Sequence, residues 1–419
     1  MLESLRNALK AKELKNRLLF TLFMILVFRI GAHIPVPGIN LARMEELIQS
    51  GTILGFFDVI SGGAFKKFTI FAMSITPYIN ASIIMQLLTV VIPYLEKLAK
   101  EGEEGRRKIT EYVRYGTVIL AFIQGFFMAI GLRSALNNPG IFTYLYIALA
   151  LTAGTAFLMW LGEQITEKGI GNGISLIIFA GIVSRIPASL KTIVDYISAG
   201  TANIFNVIIL AVIAVAAIYA VVAVTEAQRR IPVQYAKRVV GRRVYGGQST
   251  HLPIKVNQAG VIPIIFASSL LMFPVTIAGW FPQNSFAQWV LKYFGWGSVI
   301  NTVLYALLII GFTYFYTAII MNPLDIAENL KKYGGFIPGI RPGRPTAEYI
   351  DKVMSRVTFA GAVFLAFIAV LPNIVMAVAR IPNVTFGGTA LLIVVGVALD
   401  TMKQLESYLL MRHYQGFIK

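Results

Sequence analysis

Apolar residues recur along the chain in ten long runs, at about residues 18–35, 68–92, 115–132, 142–161, 173–195, 204–224, 260–280, 299–321, 357–377 and 387–408. Each approaches the roughly 20 residues a helix needs to cross a hydrocarbon core of about 30 Å. None alternates polar with apolar positions as a lipid-spanning strand does, so helices are the expected way of satisfying the backbone in lipid. The pattern predicts an all-α integral membrane protein with ten transmembrane helices. One apolar stretch is too short. In "GFFDVISGGAFKKFTIFAMSITPYIN", Gly55 to Asn80, the first run stops at a glycine pair and two lysines. A helix of about a dozen residues rises roughly 18 Å, so it cannot span, yet it leads directly into a segment that can.

Composition fits the same class. The chain is 57% hydrophobic and 14% charged, with a mean hydropathy of +0.71, against about 25% charged residues in soluble domains. There is no cysteine, which excludes disulfides, thiolate catalysis and sulfur-ligated metal. His33, His251 and His413 lie in separate loops or the tail, and no metal site is expected from them. Arg6, Lys10, Lys12, Lys15 and Arg17 precede the first run as in a signal peptide. That run extends past Leu26 without a small-residue cleavage site, so a retained first span is expected.

Ten spans put both termini on one side of the membrane. Of the 37 lysines and arginines, 28 fall in the N-terminal segment, the loops 93–114, 225–259 and 322–356, the loop near Lys168 and the C-terminal end. The opposite side holds only 8, Arg43, Lys66, Lys67, Arg133, Arg185, Lys191, Lys292 and Arg380, and Arg29 lies inside the first span. Positive charge stays cytoplasmic, so both termini are expected there, in a multi-pass membrane protein. The net charge of +17 follows from this bias together with attraction to anionic lipid. The loops 225–259 and 322–356 are longer than anchoring requires and are expected to be docking surfaces.

The spans divide five and five. The expected organisation is a cytoplasmic segment 1–17, an N-terminal half 18–195, a C-terminal half 196–408 and a cytoplasmic tail 409–419. Five is odd, so related halves must be inverted, enclosing a path near the midplane. Span two carries "ITPYI", with Pro77 two residues before Ile79, and span seven "IPII", with Pro263 two before Ile265. "GIGNGIS" and "FGGTALLI" each set a glycine turn before an apolar helix holding Ile174 or Ile393.

Candidate chemistry is sparse. An ion-coupled transporter places ionisable groups at membrane depth, but Glu163, Glu226 and Asp400 fall near cytoplasmic ends, Asp195 near an external end and Asp58 in the half-length helix. Arg29 is the exception, at a cost of about 2.5–3.5 kcal/mol on insertion scales, and is read as snorkelling or structurally paired. "GEEGRRKIT" at Gly102 lacks P-loop spacing, and "GIGNGIS" is read as a hinge, not a phosphate cradle. No nucleophile with its base lies at membrane depth, so neither an enzyme nor a cofactor is expected. The i, i+4 pairs Ile75 with Ile79 and Ile174 with Ile178 each share a helical face.

Longer motifs carry a resemblance. "QRRIPVQYAKRVVGRRVYGGQSTHLPIKVNQAGVIPIIFASS" from Gln228 and "NPLDIAENLKKYGGFIPGIRPGRPTAEYIDKV" from Asn322 resemble the SecY family of protein-translocation channels in its bacterial form. So do "SGGA" at Ser61, "PYINASIIMQLL" at Pro77, "EGRRKITEYVRYGT" before span three, "MWLGEQITEKGIGNGIS" at Met159 and "FGGTALLIVV" at Phe386. The resemblance implies inverted, pseudo-symmetric halves around an hourglass pore, narrowed by a ring of Ile75, Ile79, Ile174, Ile178, Ile265 and Ile393. It implies a short plug helix over about 56–65, formed by Phe56, Phe57, Asp58, Val59, Ile60, Ser61, Gly62, Gly63, Ala64 and Phe65, with Gly62 and Gly63 as its hinge. A lateral gate between spans two and three and spans seven and eight follows too, with Asn80, Gln86, Gln124, Ser268 and Ser269 as polar candidates. Implied partners are the small membrane subunits SecE and SecG, the SecA ATPase, the ribosome, signal sequences and nascent polypeptides. Lys237, Arg238, Arg242, Arg243 and Arg341 match the family's docking loops. The rival expectation is a small-solute secondary transporter built on inverted repeats, which predicts saturable uptake without an ATPase or ribosome.

Overall fold

The computed structural model describes residues 12–41, 43–44, 63–198, 204–235, 238–240, 243–245, 249–280, 284–295, 298–379 and 388–416. Every one of the ten apolar runs carries helix. In chain order these are α1 (Lys12–Gly31), α2 (Thr76–Val91), α3 (Pro93–Lys100), α4 (Glu103–Gly131), α5 (Ile141–Lys168), α6 (Gly173–Val183), α7 (Ile186–Ser198) and α8 (Ile204–Glu226). They continue with α9 (Ile262–Trp280), α10 (Ser285–Phe294), α11 (Val299–Ile320), α12 (Pro323–Lys332), α13 (Arg344–Ala379) and α14 (Gly388–Gly416). Among the described residues, seven helices are long and apolar enough to cross a membrane, or eight if α2 and α3, bent by 101°, count as one span.

Proline sets that bend. Pro93 pushes Ile92 into an extended conformation, φ −97° and ψ 113°, and α3 starts afresh with Leu95 and Leu98 buried against α4 while Lys97 and Lys100 face outward. The expected second span begins later than its apolar run. Residues 63–75 are a chain of turns, with left-handed Phe68 (φ 42°) and Ser74 (φ 52°), and helix starts only at Thr76, where Pro77 takes a first-turn position that needs no N–H partner. The turns stay satisfied through the strand-like segment after α1: Val36 N–H donates to Phe68 at 2.9 Å and Ile70 N–H to Ile34 at 3.1 Å. Phe71 stacks between Phe28 of α1 (6.1 Å between centroids) and Phe157 of α5 (6.0 Å), and Gly154 leaves the space that the Ile70 carbonyl fills.

Close helix approach elsewhere uses small residues, as packing in lipid demands. A Cβ on Gly125 of α4 would meet Ala148 Cα of α5 at 3.3 Å, and one on Gly361 of α13 would strike the Val256 carbonyl oxygen at 2.3 Å. Helix α9 packs on both α2 and α4, joining the two halves of the chain. The main core cluster runs through α1, α2, α5, α6, α8, α9, α11, α13 and α14.

The helical fold carries one small addition. The segments 225–259 and 322–356, expected as loops, meet in a three-stranded antiparallel sheet ordered β4 (Ser249–Lys255), β1 (Gln228–Tyr235), β5 (Gly335–Phe336). Register runs from Gln228 opposite Lys255 to Gln234 opposite Ser249, and β5 adds at Gln234 and Tyr235. Alternation along β1 buries Ile231 and Val233 against Ile254, Ile337, Ile350 and Met354, and turns Arg230, Pro232 and Gln234 outward. A short hairpin, β2 (Arg238–Val240) with β3 (Arg243–Tyr245), extends the same region.

Candidate functional site

The six isoleucines all belong to the main apolar cluster. Ile75 caps α2 and Ile79 lies one turn on; Ile174 and Ile178 come from α6, Ile265 from α9 and Ile393 from α14. Ile75, Ile79, Ile178 and Ile393 are buried in that cluster, with Ile174 and Ile265 half-buried and packed against it. Both halves of the chain supply side chains to this cluster, which spans nine helices and, among the described residues, holds no Asp, Glu, Lys or Arg.

The loop that sets α6 in place is clasped. Thr21 Oγ1 of α1 accepts from Ile170 N–H at 3.0 Å, Gln404 Oε1 of α14 from Gly171 N–H at 2.6 Å and Thr166 Oγ1 of α5 from Gly173 N–H at 2.9 Å. Asn172 caps the helix by accepting from Ser175 N–H at 3.2 Å. Gly171 adopts φ +88°, which favours glycine. The segment expected as a hinge is thus bound by side chains from α1, α5 and α14, which fixes where Ile174 and Ile178 point.

Of the plug positions, Phe56, Phe57, Asp58, Val59, Ile60, Ser61 and Gly62 lie outside the described residues. Gly63 has φ +89°, the conformation a hinge glycine serves. Ala64 is fully buried in the same cluster as the isoleucines, while Phe65 is buried with Phe68 in a neighbouring one.

The gate candidates separate. Asn80, Gln124 and Ser269 line one cavity between α2, α4 and α9, together with Met73, Thr76 and Thr276 among others. Ser268 instead donates to the Ile265 carbonyl at 2.9 Å, and the Gln86 amide donates to Ser82 at 3.2 Å and reaches Tyr316 of α11, so neither joins that cavity. Thr76 and Thr276 were missed; each stands at helical spacing from a chosen residue, four before Asn80 and seven after Ser269.

Arg29 Nη1 donates to Ser184 Oγ at 2.9 Å, tying α1 to the end of α6. Arg114 of α4 and Glu163 of α5 form an ion pair at 2.8 Å. Arg341 is exposed in the loop between β5 and α13, where Thr346 Oγ1 donates to its carbonyl at 2.8 Å and Gly339 and Gly343 take positive φ. Arg238 and Arg243 sit on the β2–β3 hairpin, and Lys237 and Arg242 lie outside the described residues. Among the described residues no cluster of three or more His, Asp or Glu side chains could hold a metal ion.

Helices of spanning length and a buried aliphatic cluster fed by both halves define a multi-pass helical membrane protein. The family model SecY matches residues 69–402. The protein translocase subunit SecY of Halalkalibacterium halodurans is 52% identical over 431 residues, covering 100% of both chains. The chain belongs to the SecY family. Its fold is also that of a solved SecY whose plug domain stabilises the closed state of the translocation channel and maintains a membrane seal (20% identity, TM-score 0.68, 94% of this chain and 92% of that one). A third similar chain is Sec61 in the canine ribosome-channel complex from the endoplasmic reticulum (18% identity, TM-score 0.62, with 94% and 92% covered).

Proposed function

We infer that this chain is the channel subunit of a protein translocase, conducting unfolded polypeptide across the membrane and releasing apolar segments sideways into lipid. The observation that carries this is membership of the SecY family; that all six isoleucines fall in the main apolar cluster supports them as the collar. A narrow aliphatic collar disfavours water and ions, as in gating by dewetting. It offers no fixed hydrogen bonds, so a sliding chain of any sequence passes without being recognised. Residues 56–65 are the stopper beneath it, hinged at Gly62 and Gly63; the burial of Ala64 beside the isoleucines supports that seat.

The cavity of Asn80, Gln124 and Ser269 lies where α9 meets α2 and α4, which supports this seam as the lateral exit, with Gln86 and Ser268 flanking it. A signal sequence would open the seam by binding the open form better than the closed one. The halves 18–195 and 196–408 would then part along it. SecE and SecG are the proposed small subunits. The basic surface of Lys237, Arg238, Arg242, Arg243 and Arg341 is the dock for SecA and for the ribosome, whose RNA phosphates suit arginine and lysine. The proposed setting is a bacterial plasma membrane with both termini cytoplasmic, a topology favoured by the 28 basic residues on that side. The family membership disfavours the small-solute transporter.

The test is reconstitution of the purified chain with its small subunits in proteoliposomes, adding SecA, ATP and a signal-bearing precursor. ATP-dependent protease protection of the precursor is expected. Saturable uptake of a small solute with no protected precursor would overturn the reading.

A further inference from the structure

Helix α10 lies outside the machinery described so far. It joins α9, which ends at Trp280, to α11, which begins at Val299, and has two unlike faces. Ala287 and Val290 are buried against Ala278 of α9. Phe286 and Trp289 point away from the protein, 70% and 50% exposed. Their rings stack with centroids 6.0 Å apart, and Trp289 lies 5.4 Å from Tyr293, over whose ring Lys292 Nζ sits at 5.4 Å.

The helix is locked in place at both ends. Asn284 Oδ1 caps it by accepting from Phe286 N–H at 3.0 Å. At the other end Asn301 Nδ2 of α11 donates to the Phe294 carbonyl at 2.5 Å, and Ser298 Oγ donates to the Tyr293 carbonyl. The outward aromatic face is therefore held outward by the start of α11.

That face continues an apolar surface. Val299, Ile300 and Val303 are exposed in the first turns of α11, while Phe273 and Ile277 near the end of α9 border the cavity shared with α2 and α4. In a spanning protein the α11 side chains meet hydrocarbon, which places α10 at the level where hydrocarbon gives way to headgroups. Tryptophan and tyrosine favour that level, and a lysine there reaches lipid phosphate.

We propose that α10 is an interfacial helix, its outer face of Phe286 and Trp289 inserted at the boundary of headgroups and acyl chains, so that lipid anchors the external ends of α9 and α11. The proposal rests on the membrane-channel reading for which side is external, but its occupant is argued from the span that follows it. Lipid, and not a second copy, is chosen because α10 is bonded to the start of α11, whose first turns expose Val299, Ile300 and Val303 at the edge of a span that lipid covers.

The chain has four tryptophans, so Trp160→Phe, Trp280→Phe and Trp296→Phe leave Trp289 as this chain's sole tryptophan, read as the difference from the same variant carrying Trp289→Phe as well. In nanodiscs holding the full complex, phosphatidylcholine brominated high on its acyl chains should quench Trp289 at least twofold more than lipid brominated near the chain ends, and aqueous iodide should quench little. Strong iodide quenching without bromolipid quenching would overturn the proposal by placing the face in water. Weak quenching by both would overturn it in favour of cover by a second copy or another protein. Should the triple variant fail to fold, Phe286→Cys in this cysteine-free chain gives a single nitroxide site. There, higher accessibility to oxygen than to a water-soluble nickel complex supports the proposal and the reverse sinks it. Quenching as expected without precursor protection in the translocation assay would remove the channel reading and leave this one standing.

Discussion

Gly173 and Gly162 approach so closely that a Cβ on Gly173 would lie 1.9 Å from the Gly162 carbonyl oxygen. Backbone cannot yield as a flexible side chain does. Gly173→Ala should therefore push α6 off α5, destabilising by at least the 1–3 kcal/mol or so typical of overpacking and displacing Ile174 and Ile178. The thermal midpoint of the detergent-purified complex should fall. Gly311→Ala, where nothing lies within 4 Å, should leave that midpoint unchanged or raise it slightly, since alanine is the better helix former. Equal midpoints for both variants would show that the approach is not tight.

Removing the stopper should open the collar to ions. Deletion of residues 56–65 is expected to give channels that leak salt in planar bilayers while still accepting precursor. Electrically silent membranes from the deletion protein would remove the plug assignment.

The polar cavity makes a different kind of prediction. Polar contacts between membrane helices average about 0.6 kcal/mol, so losing two through Gln124→Leu with Ser269→Ala should weaken the closed seam by about 1 kcal/mol. A marginally hydrophobic test segment should then be released into lipid severalfold more often, scored by its protease protection pattern. Unchanged partition would place the exit elsewhere.

Arg341 is exposed on a loop shaped by two positive-φ glycines, so its replacement should not disturb folding. Arg341→Glu is expected to lower SecA-driven transport at least several-fold with normal membrane insertion of the channel itself. Wild-type transport by this variant would refute the docking role.

Much of this was legible in the chain. The ten runs locate helices, and Pro77, Pro93 and Pro323 mark where α2, α3 and α12 begin. What misled was residues 68–75, apolar but not helical, because Phe68 and Ile70 bond to residues 34–36, the rest close local turns, and Phe71 is held between two other helices; no local pattern carries these facts. The alternation of Ile231 and Val233 with arginine and glutamine was a readable strand signal, whereas two-residue β5 exists only because β1 offers an edge. For the site, periodicity places Ile75 with Ile79 and Ile174 with Ile178 on shared helical faces but cannot tell a pore from lipid, so the ring positions came through the longer motifs. Ile265 and Ile393 are solitary and emerged only through longer motifs, while Thr76 and Thr276 were recoverable from helical spacing.

Helix α13 runs from Arg344 to Pro372 before its internal proline, 29 residues or about 44 Å at 1.5 Å per residue. Its first turns, through Ile350 and Met354, are part of the sheet's own core; farther on, Leu365 and Ile368 belong to the cluster that holds the isoleucines. A rod gripped at both levels acts as a tiller. A force that tilts the sheet arrives at the apolar cluster as a displacement, with no slack joint on the way to absorb it.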